Sequence, residues 1–224
     1  MDMAFFGDSH GDFTAVEESA SAGVAPVSVF LGDFDLTRPL EEEVSPLVEA
    51  GSEVWYVHGN HDADSPEWYD FVFSSGLAHR NLSGRVVDIG GYRVAGLGGV
   101  FRTRVWNPRS KEKPGFATRR EMMRAMPHAR WRDGLPMRQR ATIFPEDFKA
   151  LARQRADILV SHEAPSSHRF GFGKIDELAA TMGVKLVVHG HHHESYEGKL
   201  PNGIRVIGMG EADWRVVNIE GAIG

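Results

Sequence analysis

The first 60 residues alternate between short apolar runs of strand length and segments with a helical pattern. β-Branched and aromatic residues predominate at positions 4–6, 27–31 and 54–58, and the segments 13–22 and 40–50 between them have the pattern of helices. Such an alternation builds parallel β-α-β units, because each helix returns the chain to the starting edge of the sheet. We therefore predict an α/β fold that begins with a parallel sheet.

The second half of the chain has closely spaced strands and turn residues suited to hairpins. Gly90-Gly91 and Pro201-Asn202-Gly203 favour antiparallel pairing of the strands beside them. We expect mixed sheets in a single domain spanning 1–224, because the chain exceeds the common domain length of about 150 residues by only half. The further predicted strands are 86–89, 93–97, 158–161, 186–189, 206–209 and 216–219, and the further helices are 66–74, 145–155 and 174–182.

The residue content excludes several classes of protein. Cysteine is absent, which excludes disulfides, thiolate metal sites and cysteine nucleophiles. No apolar run approaches the roughly 20 residues needed to cross a bilayer. The N-terminal residues contain neither a basic region nor a long apolar region of a leader peptide. We therefore expect a cytoplasmic protein without a membrane partner.

Residues 98–142 form a basic segment in an acidic chain. Positions 101–140 hold twelve Lys and Arg but three Asp and Glu, although the whole chain has a net charge of −6. Prolines interrupt the segment and only 118–126 patterns as a helix, which predicts a lid-like insertion. Arg102 and Arg104 follow a predicted strand directly and are our candidates for binding a substrate phosphate. Alternatively, the segment pairs with the acidic remainder of the chain.

Five clusters of polar residues fall where predicted strands end. Because ligands bind outside the carboxyl ends of parallel strands, the first three clusters should converge on one sheet edge. Their donors are oxygen and imidazole nitrogen, which suits Mn²⁺, Fe or Zn²⁺ better than Cu(I) or an iron–sulfur cluster. The clusters are Gly7-Asp8-Ser9-His10-Gly11, Gly32-Asp33, Gly59-Asn60-His61-Asp62, Ser161-His162 and Gly190-His191-His192-His193.

One such cluster indicates little by itself, whereas five together indicate a metal centre. Asp8 and His10 are spaced i, i+2, so an extended backbone directs both to one side. The same spacing relates His191 to His193, and His192 should point away from both. Burying this many ionisable groups without a cation would cost on the order of several kcal/mol each. The isolated histidines are expected at the surface: His79, His128 and His168.

In this order the clusters resemble the motif blocks of the calcineurin-like metallophosphoesterases, over residues 7–193. The resemblance implies a four-layer α/β sandwich of two mixed sheets flanked by helices, with two divalent metal ions at the strand ends. Mn²⁺ is the expected ion, with Fe or Zn²⁺ as alternatives. His61 matches the catalytic histidine of the family. By position, the implied metal ligands are Asp8, His10 and His193 for one ion, Asn60, His162 and His191 for the other, and Asp33 bridging the two.

The implied reaction is hydrolysis of a phosphate ester without a covalent enzyme intermediate. A water that bridges two cations roughly 3.5–4 Å apart has its pKa lowered toward ~7, so a metal-bridging hydroxide can attack phosphorus at neutral pH. The cations also offset charge on the phosphoryl oxygens in the transition state. A protonated His61 would stabilise a phosphoryl oxygen or donate its proton to the leaving alkoxide.

One position departs from the family pattern. The second block usually reads Gly-Asp-x-x-Asp, and its second Asp often orients the catalytic histidine, but here Leu36 stands at that place. Asp35 comes one residue early, and an extended backbone would direct it to the other side. Asp35, through a tight turn, and Asp62 remain the alternatives for orienting His61, and both are included among the catalytic candidates.

We expect a metal-dependent phosphomonoesterase acting on a phosphorylated substrate, because monoesters carry more negative charge than diesters and the basic segment suits them. The alternative is a phosphodiesterase acting on cyclic nucleotides or nucleic-acid ends, where interleaved basic and aromatic residues would contact a single strand. The acidity of the whole chain disfavours nucleic acid. A non-catalytic metal-binding scaffold is disfavoured because all eight ligand and catalytic positions are retained.

Overall fold

The computed structural model describes residues 1–224, and its ten strands form two sheets. In chain order the strands are β1 (Asp2–Phe6), β2 (Val27–Phe30), β3 (Glu53–Tyr56), β4 (Val86–Ile89), β5 (Tyr92–Leu97), β6 (Ile158–Ser161), β7 (Leu186–His189), β8 (Tyr196–Lys199), β9 (Arg205–Gly208) and β10 (Trp214–Asn218). The strand orders are β10-β1-β2-β3 and β4-β5-β6-β7-β9-β8. Strands β1 to β3 are parallel, and β10 is antiparallel to β1. In the second sheet only the edge strands β4 and β8 run antiparallel to their neighbours, so both sheets are mixed, as predicted.

Strand β8 is the one strand that the apolar pattern did not predict. Its residues are Tyr-Glu-Gly-Lys, without a β-branched side chain, and they alternate between exposed and half-buried at the sheet edge. Backbone pairing with β9 across the Pro201-Asn202-Gly203 turn therefore holds β8 in place. The turn residues predicted a hairpin at this place, but the apolar pattern did not show where its first strand lies.

The eight α-helices are α1 (Thr14–Gly23), α2 (Leu40–Glu43), α3 (Ser45–Glu49), α4 (Pro66–Phe73), α5 (Arg119–Ala125), α6 (Pro145–Leu151), α7 (Gly173–Met182) and α8 (Ile219–Ile223). The single helix predicted at 40–50 is two helices, because Pro46 has no N–H to continue the first one. Ser45 Oγ donates to the Glu42 carbonyl at 2.9 Å instead. None of the helices combines the length and the hydrophobicity that crossing a bilayer requires.

Alternation along the strands creates the layers of the fold. In β1, Met3 and Phe5 face the second sheet, whereas Ala4 and Phe6 face the helices that cover the first sheet. A third cluster fills the space between the second sheet and α6 and α7, with Leu159 and Phe148 among its members. The result is the expected sandwich of two sheets with helices on both outer faces.

The basic segment 98–142 is packed against the second sheet. Trp106, Met122 and Leu135 are buried in the same cluster as Phe148. Backbone hydrogen bonds between the two ends of the segment close it at Val100, which donates to Ala141 and accepts from Ile143. Three of its arginines form ion pairs with acidic residues outside it: Arg119 with Glu146 and Asp147, Arg132 with Asp70, and Arg138 with Asp64.

Replacement of Trp106 by Ala is expected to lower the free energy of unfolding by about 3–5 kcal/mol, because the indole ring is enclosed and leaves a large cavity. The ring is 9% exposed and lies edge-on to Phe101 and Phe148. Urea denaturation measures the loss. Trp131→Ala in the same segment is the matched control and should cost less, since Trp131 is only half-buried. A loss below about 1 kcal/mol for Trp106→Ala would mean that the segment detaches as a mobile lid.

Candidate metal centre

The polar clusters lie together at the carboxyl ends of five parallel strands. β1, β2 and β3 supply residues from the first sheet, and β6 and β7 supply residues from the second. Because the sheets pack face to face, these strand ends meet at one edge of the sandwich. Ligand-type atoms within 4.8 Å of one another form four groups there, and two of these consist of predicted ligands alone: Asp8, His10 and His193 (the first group), and Asp33, His162 and His191 (the second group). The other two groups are His10 with Asp35 and His61, and Glu163 with His191 and His192.

In the first group, two imidazoles turn the same type of nitrogen toward each other. Nε2 of His10 lies 3.1 Å from Nε2 of His193, and Oδ2 of the buried Asp8 lies 3.4 Å from the latter. The Nδ1 atoms face carboxylates at 2.9 Å, Asp35 for His10 and Glu211 for His193. A carboxylate accepts, so each neutral ring donates from Nδ1 and keeps its Nε2 lone pair. When both rings are neutral, the two lone pairs repel each other at this separation, and either a proton on one Nε2 or a metal cation between the two removes the repulsion.

In the second group, His162 presents a nitrogen to two oxygen atoms. His162 is fully buried, and its Nδ1 donates to the Leu31 carbonyl at 2.7 Å. Nε2 of the same ring lies 3.3 Å from Asp33 Oδ2 and 3.2 Å from Asn60 Oδ1, and it carries the lone pair when the ring is neutral. His191 completes the group. Carboxylate, amide carbonyl and imidazole donors in one place fit a divalent cation such as Mn²⁺, Fe²⁺ or Zn²⁺.

Buried charge at this edge favours a cation. Burial by itself would lower the pKa of His162, but the carboxylates of Asp33 and Asp8 outweigh it and raise that pKa to about 10. Burial likewise opposes ionisation of Asp33, yet His162 holds the pKa of Asp33 below its usual value. Oδ1 of Asp8 is buried without a hydrogen-bond partner, which is unusual for a carboxylate that is not a metal ligand.

Backbone strain is concentrated at the same residues. Seven non-glycine residues have a positive φ, and five of them belong to this site, so the strain marks it out from the rest of the chain. A left-handed residue after a strand turns the next side chains back over the strand end, where the ligand groups meet. The five are His10, Asp33, Asp35, His191 and His193.

Two glycines allow the backbone to approach the carboxylates of Asp33 and Asp8 closely. A Cβ added at Gly59 would overlap Asp33 Oδ1, and one added at Gly190 would overlap Asp8 Oδ1. Both glycines stand at the start of their clusters, directly before Asn60 and His191. Any larger residue at either place would displace one of these two carboxylates.

His61 lies beside the first group with part of its ring open to solvent. Its side chain is 40% exposed, and its ring centroid is 5.1 Å from that of His10. Nδ1 of His61 lies 3.4 Å from Asp64 Oδ2 and 3.9 Å from Asp35 Oδ1. Asp64 is close because residues 61–63 form a 3₁₀ helix, in which side chains three positions apart eclipse. Leu36 is buried in the apolar core and contributes nothing to the site.

Asp62 makes different contacts from those considered in the sequence. Its carboxylate accepts hydrogen bonds from the backbone N–H groups of Asp33, Phe34 and Gly59, at 3.2, 2.9 and 2.7 Å. It has no hydrogen bond or ion pair with the His61 imidazole, because the 3₁₀ turn directs consecutive side chains apart. Burial, together with the charge of Asp33, raises the pKa of Asp62 to about 7. Asp62 thus ties together the loops that follow β2 and β3.

The two candidate arginines are placed differently. Arg102 is half-buried, borders the cavity that contains Asn60 and His191, and keeps its Nε without a hydrogen-bond partner. Arg104 is exposed and does not border that cavity.

The surface position predicted for His168 is wrong. His168 is 5% exposed, and its ring stacks on His192 at 4.1 Å between centroids. No spacing within the chain relates these two residues, so the apolar and polar patterns could not reveal the contact. His79 and His128 are exposed, as expected.

Three acidic residues at the site were not singled out from the sequence. Asp64 carries a usable signal, since it follows His61 by three positions at the start of a turn. Glu163 directly follows His162 and is 3% exposed, with Oε1 lying 3.9 Å from His191 Nε2 and 3.7 Å from His192 Nε2. Glu211 carries no such signal, because a separate part of the chain brings it to His193.

The sandwich of two mixed sheets and the donors at its strand ends define a metal-binding α/β protein. The family model described as calcineurin-like phosphoesterase matches residues 1–195. The chain therefore belongs to the calcineurin-like phosphoesterase family, and the predicted resemblance is confirmed. Membership assigns it to the metal-dependent phosphoester hydrolases, which act on phosphorylated substrates with divalent metal ions.

Known proteins similar to this chain include one close relative and several solved structures. An uncharacterized protein of Haemophilus influenzae is 41% identical over 210 residues, which is 92% of this chain and 91% of the relative. A crystal structure from Thermus thermophilus has a TM-score of 0.59 at 18% identity, over 97% of this chain and 98% of that one. A dimetal phosphatase from Danio rerio has a TM-score of 0.52 at 13% identity, over 95% and 88% of the two chains. The structural matches support the fold.

Proposed function

We propose that this protein is a phosphomonoesterase that uses two divalent cations, with Mn²⁺ as the expected ion. The observation that carries the proposal is the pair of donor groups at one sheet edge, in which imidazole Nε2 atoms lie close to each other and to buried carboxylates. When bound, the cations would supply an activated water and positive charge for the phosphoryl oxygens. The proposed ligands are Asp8, His10 and His193 for one cation, Asn60, His162 and His191 for the other, and Asp33 shared between them.

The protein groups around the donors hold the rings in a fixed orientation. Asp35 and Glu211 accept from Nδ1 of His10 and His193, and the Leu31 carbonyl accepts from His162. Each of these bonds fixes the tautomer that leaves Nε2 free to bind metal. Asn60 contributes a neutral oxygen, so it ligates without adding negative charge that would weaken the cation as a Lewis acid.

His61 is the proposed proton donor to the leaving group. Its ring is beside the first donor group and partly exposed, so an ester bound at the cations can reach it. In the protonated form it would donate a proton to the leaving alkoxide oxygen as the P–O bond breaks. Among carboxylates, that of Asp64 lies closest to the His61 side chain. Its Oδ2 faces His61 while its Oδ1 pairs with Arg138, whereas Asp35 is engaged with His10 and lies farther from His61. We therefore assign the orientation of His61 to Asp64, with Asp35 as a more distant second partner.

Asp64→Asn is expected to lower kcat by about 10–100-fold, the usual cost of losing a supporting carboxylate. The loss should be larger for alkyl phosphates than for 4-nitrophenyl phosphate, because a good leaving group needs no proton. Steady-state kinetics on both esters measure it, and Asp64→Glu should restore part of the rate. An equal loss on both esters would indicate a structural role for Asp64 and contradict its assignment as a positioning residue.

Arg102 is retained as the proposed phosphate-binding arginine. It is half-buried and its Nε is without a partner, so its guanidinium can donate to a phosphoryl oxygen without breaking an existing bond at that atom. Arg104 is exposed and does not border the cavity beside the donors, so it is placed less well to contact a bound phosphate. Arg119, Arg132 and Arg138 are ion-paired, which leaves fewer arginines for a nucleic-acid strand and favours a small monoester.

One paired assay tests the proposed function. Metal analysis of the purified protein should find two equivalents of divalent metal. With Mn²⁺ supplied, 4-nitrophenyl phosphate should be hydrolysed with a higher kcat/KM than bis(4-nitrophenyl) phosphate. A preference for the diester would replace the monoesterase assignment by a diesterase, and a protein that binds metal but hydrolyses neither ester would be a scaffold.

A further inference from the structure

A row of paired residues crosses the second sheet directly before two of the polar clusters begin. Ser161 at the end of β6 pairs with His189 at the end of β7. Gly208 of β9 pairs with His189 on one side and with Tyr196 of β8 on the other. Residues in register share one face of a sheet, and Tyr196 packs against the apolar cluster between this sheet and α7. The row therefore lies on the outer face of the sheet, at the end that carries the donors.

The missing side chain of Gly208 lets Tyr196 reach across β9. A Cβ added at Gly208 would overlap the Tyr196 ring. The Tyr196 hydroxyl lies 2.7 Å from His189 Nε2, although β9 separates their strands by a gap of roughly 9–10 Å between strand axes. A long side chain with a polar end, facing a glycine, is what this contact requires.

The hydroxyl is the partner of a buried histidine that contacts the backbone of a proposed ligand. His189 is 1% exposed, and its Nδ1 donates to the Gly190 carbonyl at 3.0 Å, which belongs to the peptide bond joining Gly190 to His191. Burial lowers the pKa of His189 to about 4, so the ring is neutral and its Nε2 accepts from the Tyr196 hydroxyl. Loss of that hydroxyl would leave a buried acceptor unpaired beside the ligand loop.

The same hydroxyl contacts the loop that connects β6 to α7. Ser167 Oγ lies 2.9 Å from the Tyr196 oxygen and donates to it, because the proton of that hydroxyl points to His189. His162 stands at the start of this loop, five residues before Ser167. One oxygen atom therefore joins the segment that carries His162 to the segment that carries His191.

The two segments also meet nearer the surface. The ring of His168 stacks on that of His192 at 4.1 Å between centroids, and its Nε2 lies 3.3 Å from the Glu194 carboxylate. Arg169 donates to the same carboxylate at 3.0 Å. The contact through the Tyr196 hydroxyl lies on the side of the strand ends, closest to the donors.

We propose that Tyr196 is a positioning residue for the metal centre, and that its hydroxyl holds the segments after β6 and β7 in the arrangement that binds divalent cations. The inference rests on the proposed function only in its assignment of His162, His191 and His193 as ligands. His191 and His193 have φ values of 72° and 55°, and such strained backbone persists only where neighbouring contacts hold it. Loss of the hydroxyl therefore weakens cation binding without removing a ligand.

Tyr196→Phe tests the inference, because it removes the hydroxyl and keeps the ring over Gly208. Calorimetric titration of the chelator-treated protein with Mn²⁺ should give a Kd about tenfold above that of the parent, the lower end of the usual cost of losing a supporting partner. With limiting Mn²⁺, the rate on 4-nitrophenyl phosphate should fall, and excess Mn²⁺ should restore most of it. A loss of rate that excess Mn²⁺ does not restore, at an unchanged Kd, would overturn the positioning role.

Two further variants and a stability measurement serve as controls. Tyr92 begins β5 at the opposite end of the sheet and makes no side-chain hydrogen bond, so Tyr92→Phe should retain the Kd of the parent. Ser167→Ala keeps the bond between Tyr196 and His189 and should raise the Kd less than Tyr196→Phe does. Thermal unfolding of the metal-free proteins reports stability alone. A lower Tm for Tyr196→Phe with an unchanged Kd would mean a purely structural role and would contradict the inference.

The outcomes separate this inference from the proposed function. If the parent hydrolyses 4-nitrophenyl phosphate and Tyr196→Phe binds Mn²⁺ as tightly as the parent, the positioning role fails and the phosphatase function stands. If neither protein hydrolyses an ester but Tyr196→Phe binds Mn²⁺ more weakly, the function fails and the positioning role stands. A parent protein that binds none of Mn²⁺, Fe²⁺ and Zn²⁺ would overturn both.

Discussion

Asp33→Asn should remove most of the bound metal and lower kcat/KM by about a thousandfold or more, which corresponds to several kcal/mol of lost transition-state stabilisation. The side chain is 1% exposed, lies 3.3 Å from His162 Nε2, and accepts from the His61 N–H at 2.7 Å. An amide at this place removes a negative charge that two proposed cations share. It also puts an N–H₂ group where acceptors are needed. Elemental analysis and kinetics on 4-nitrophenyl phosphate measure the two losses.

The same chemical change elsewhere provides the control for Asp33→Asn. Asp133 is exposed and makes no side-chain hydrogen bond, so Asp133→Asn should retain the metal content and the rate of the parent protein. Thermal unfolding of both variants, with and without Mn²⁺, separates a lost ligand from a lost fold. An Asp33→Asn protein with full metal content and full activity would exclude Asp33 as a shared ligand.

His61→Asn should lower kcat by about 10²–10⁴-fold, the range of a lost general acid, while metal content stays unchanged. The imidazole is 40% exposed, so its replacement creates no cavity. The hydrogen bonds and ion pairs of the His162, His191 and His193 side chains do not involve the His61 side chain. The loss should be steepest for esters with poor leaving groups, since these need the proton most.

An exposed histidine supplies the comparison for His61→Asn. His128 makes no side-chain hydrogen bond and lies in the basic segment, so His128→Asn should leave kcat and metal content as they are. Loss of metal from His61→Asn would mean that the imidazole is a ligand. An unchanged kcat would remove His61 from the mechanism.

Local patterns predicted most of the elements because they depend on neighbours in the chain. The β-branched runs of β6 and β7 were predicted at the bounds that the structure has, and each is buried along its whole length. Gly183 ends α7 in the left-handed conformation that glycine favours. The break between α2 and α3 could also have been predicted from the sequence, because a proline without an N–H stands at the start of the second helix.

Strand topology explains why the ligand-type residues could be singled out before any coordinates. Each cluster directly follows a parallel strand, and parallel strands of one sheet end at one edge. Asp8 after β1 and Asp33 after β2 are therefore neighbours whatever their distance along the chain. The order of residues was sufficient for the clusters of the first sheet, whereas the clusters after β6 and β7 reach the same edge because the two sheets pack together.

The sequence by itself determined the α/β class, the strand ends that carry the site, and the residue types able to bind metal there. Only the tertiary structure decided which residues from separate parts of the chain meet there: Glu211 beside His193, and His168 stacked on His192. Strand periodicity and turn chemistry act over a few residues, so they can be recognised in a single chain. A hydrogen bond between side chains from separate loops depends on how two sheets and their connections pack, and no local pattern encodes that distance.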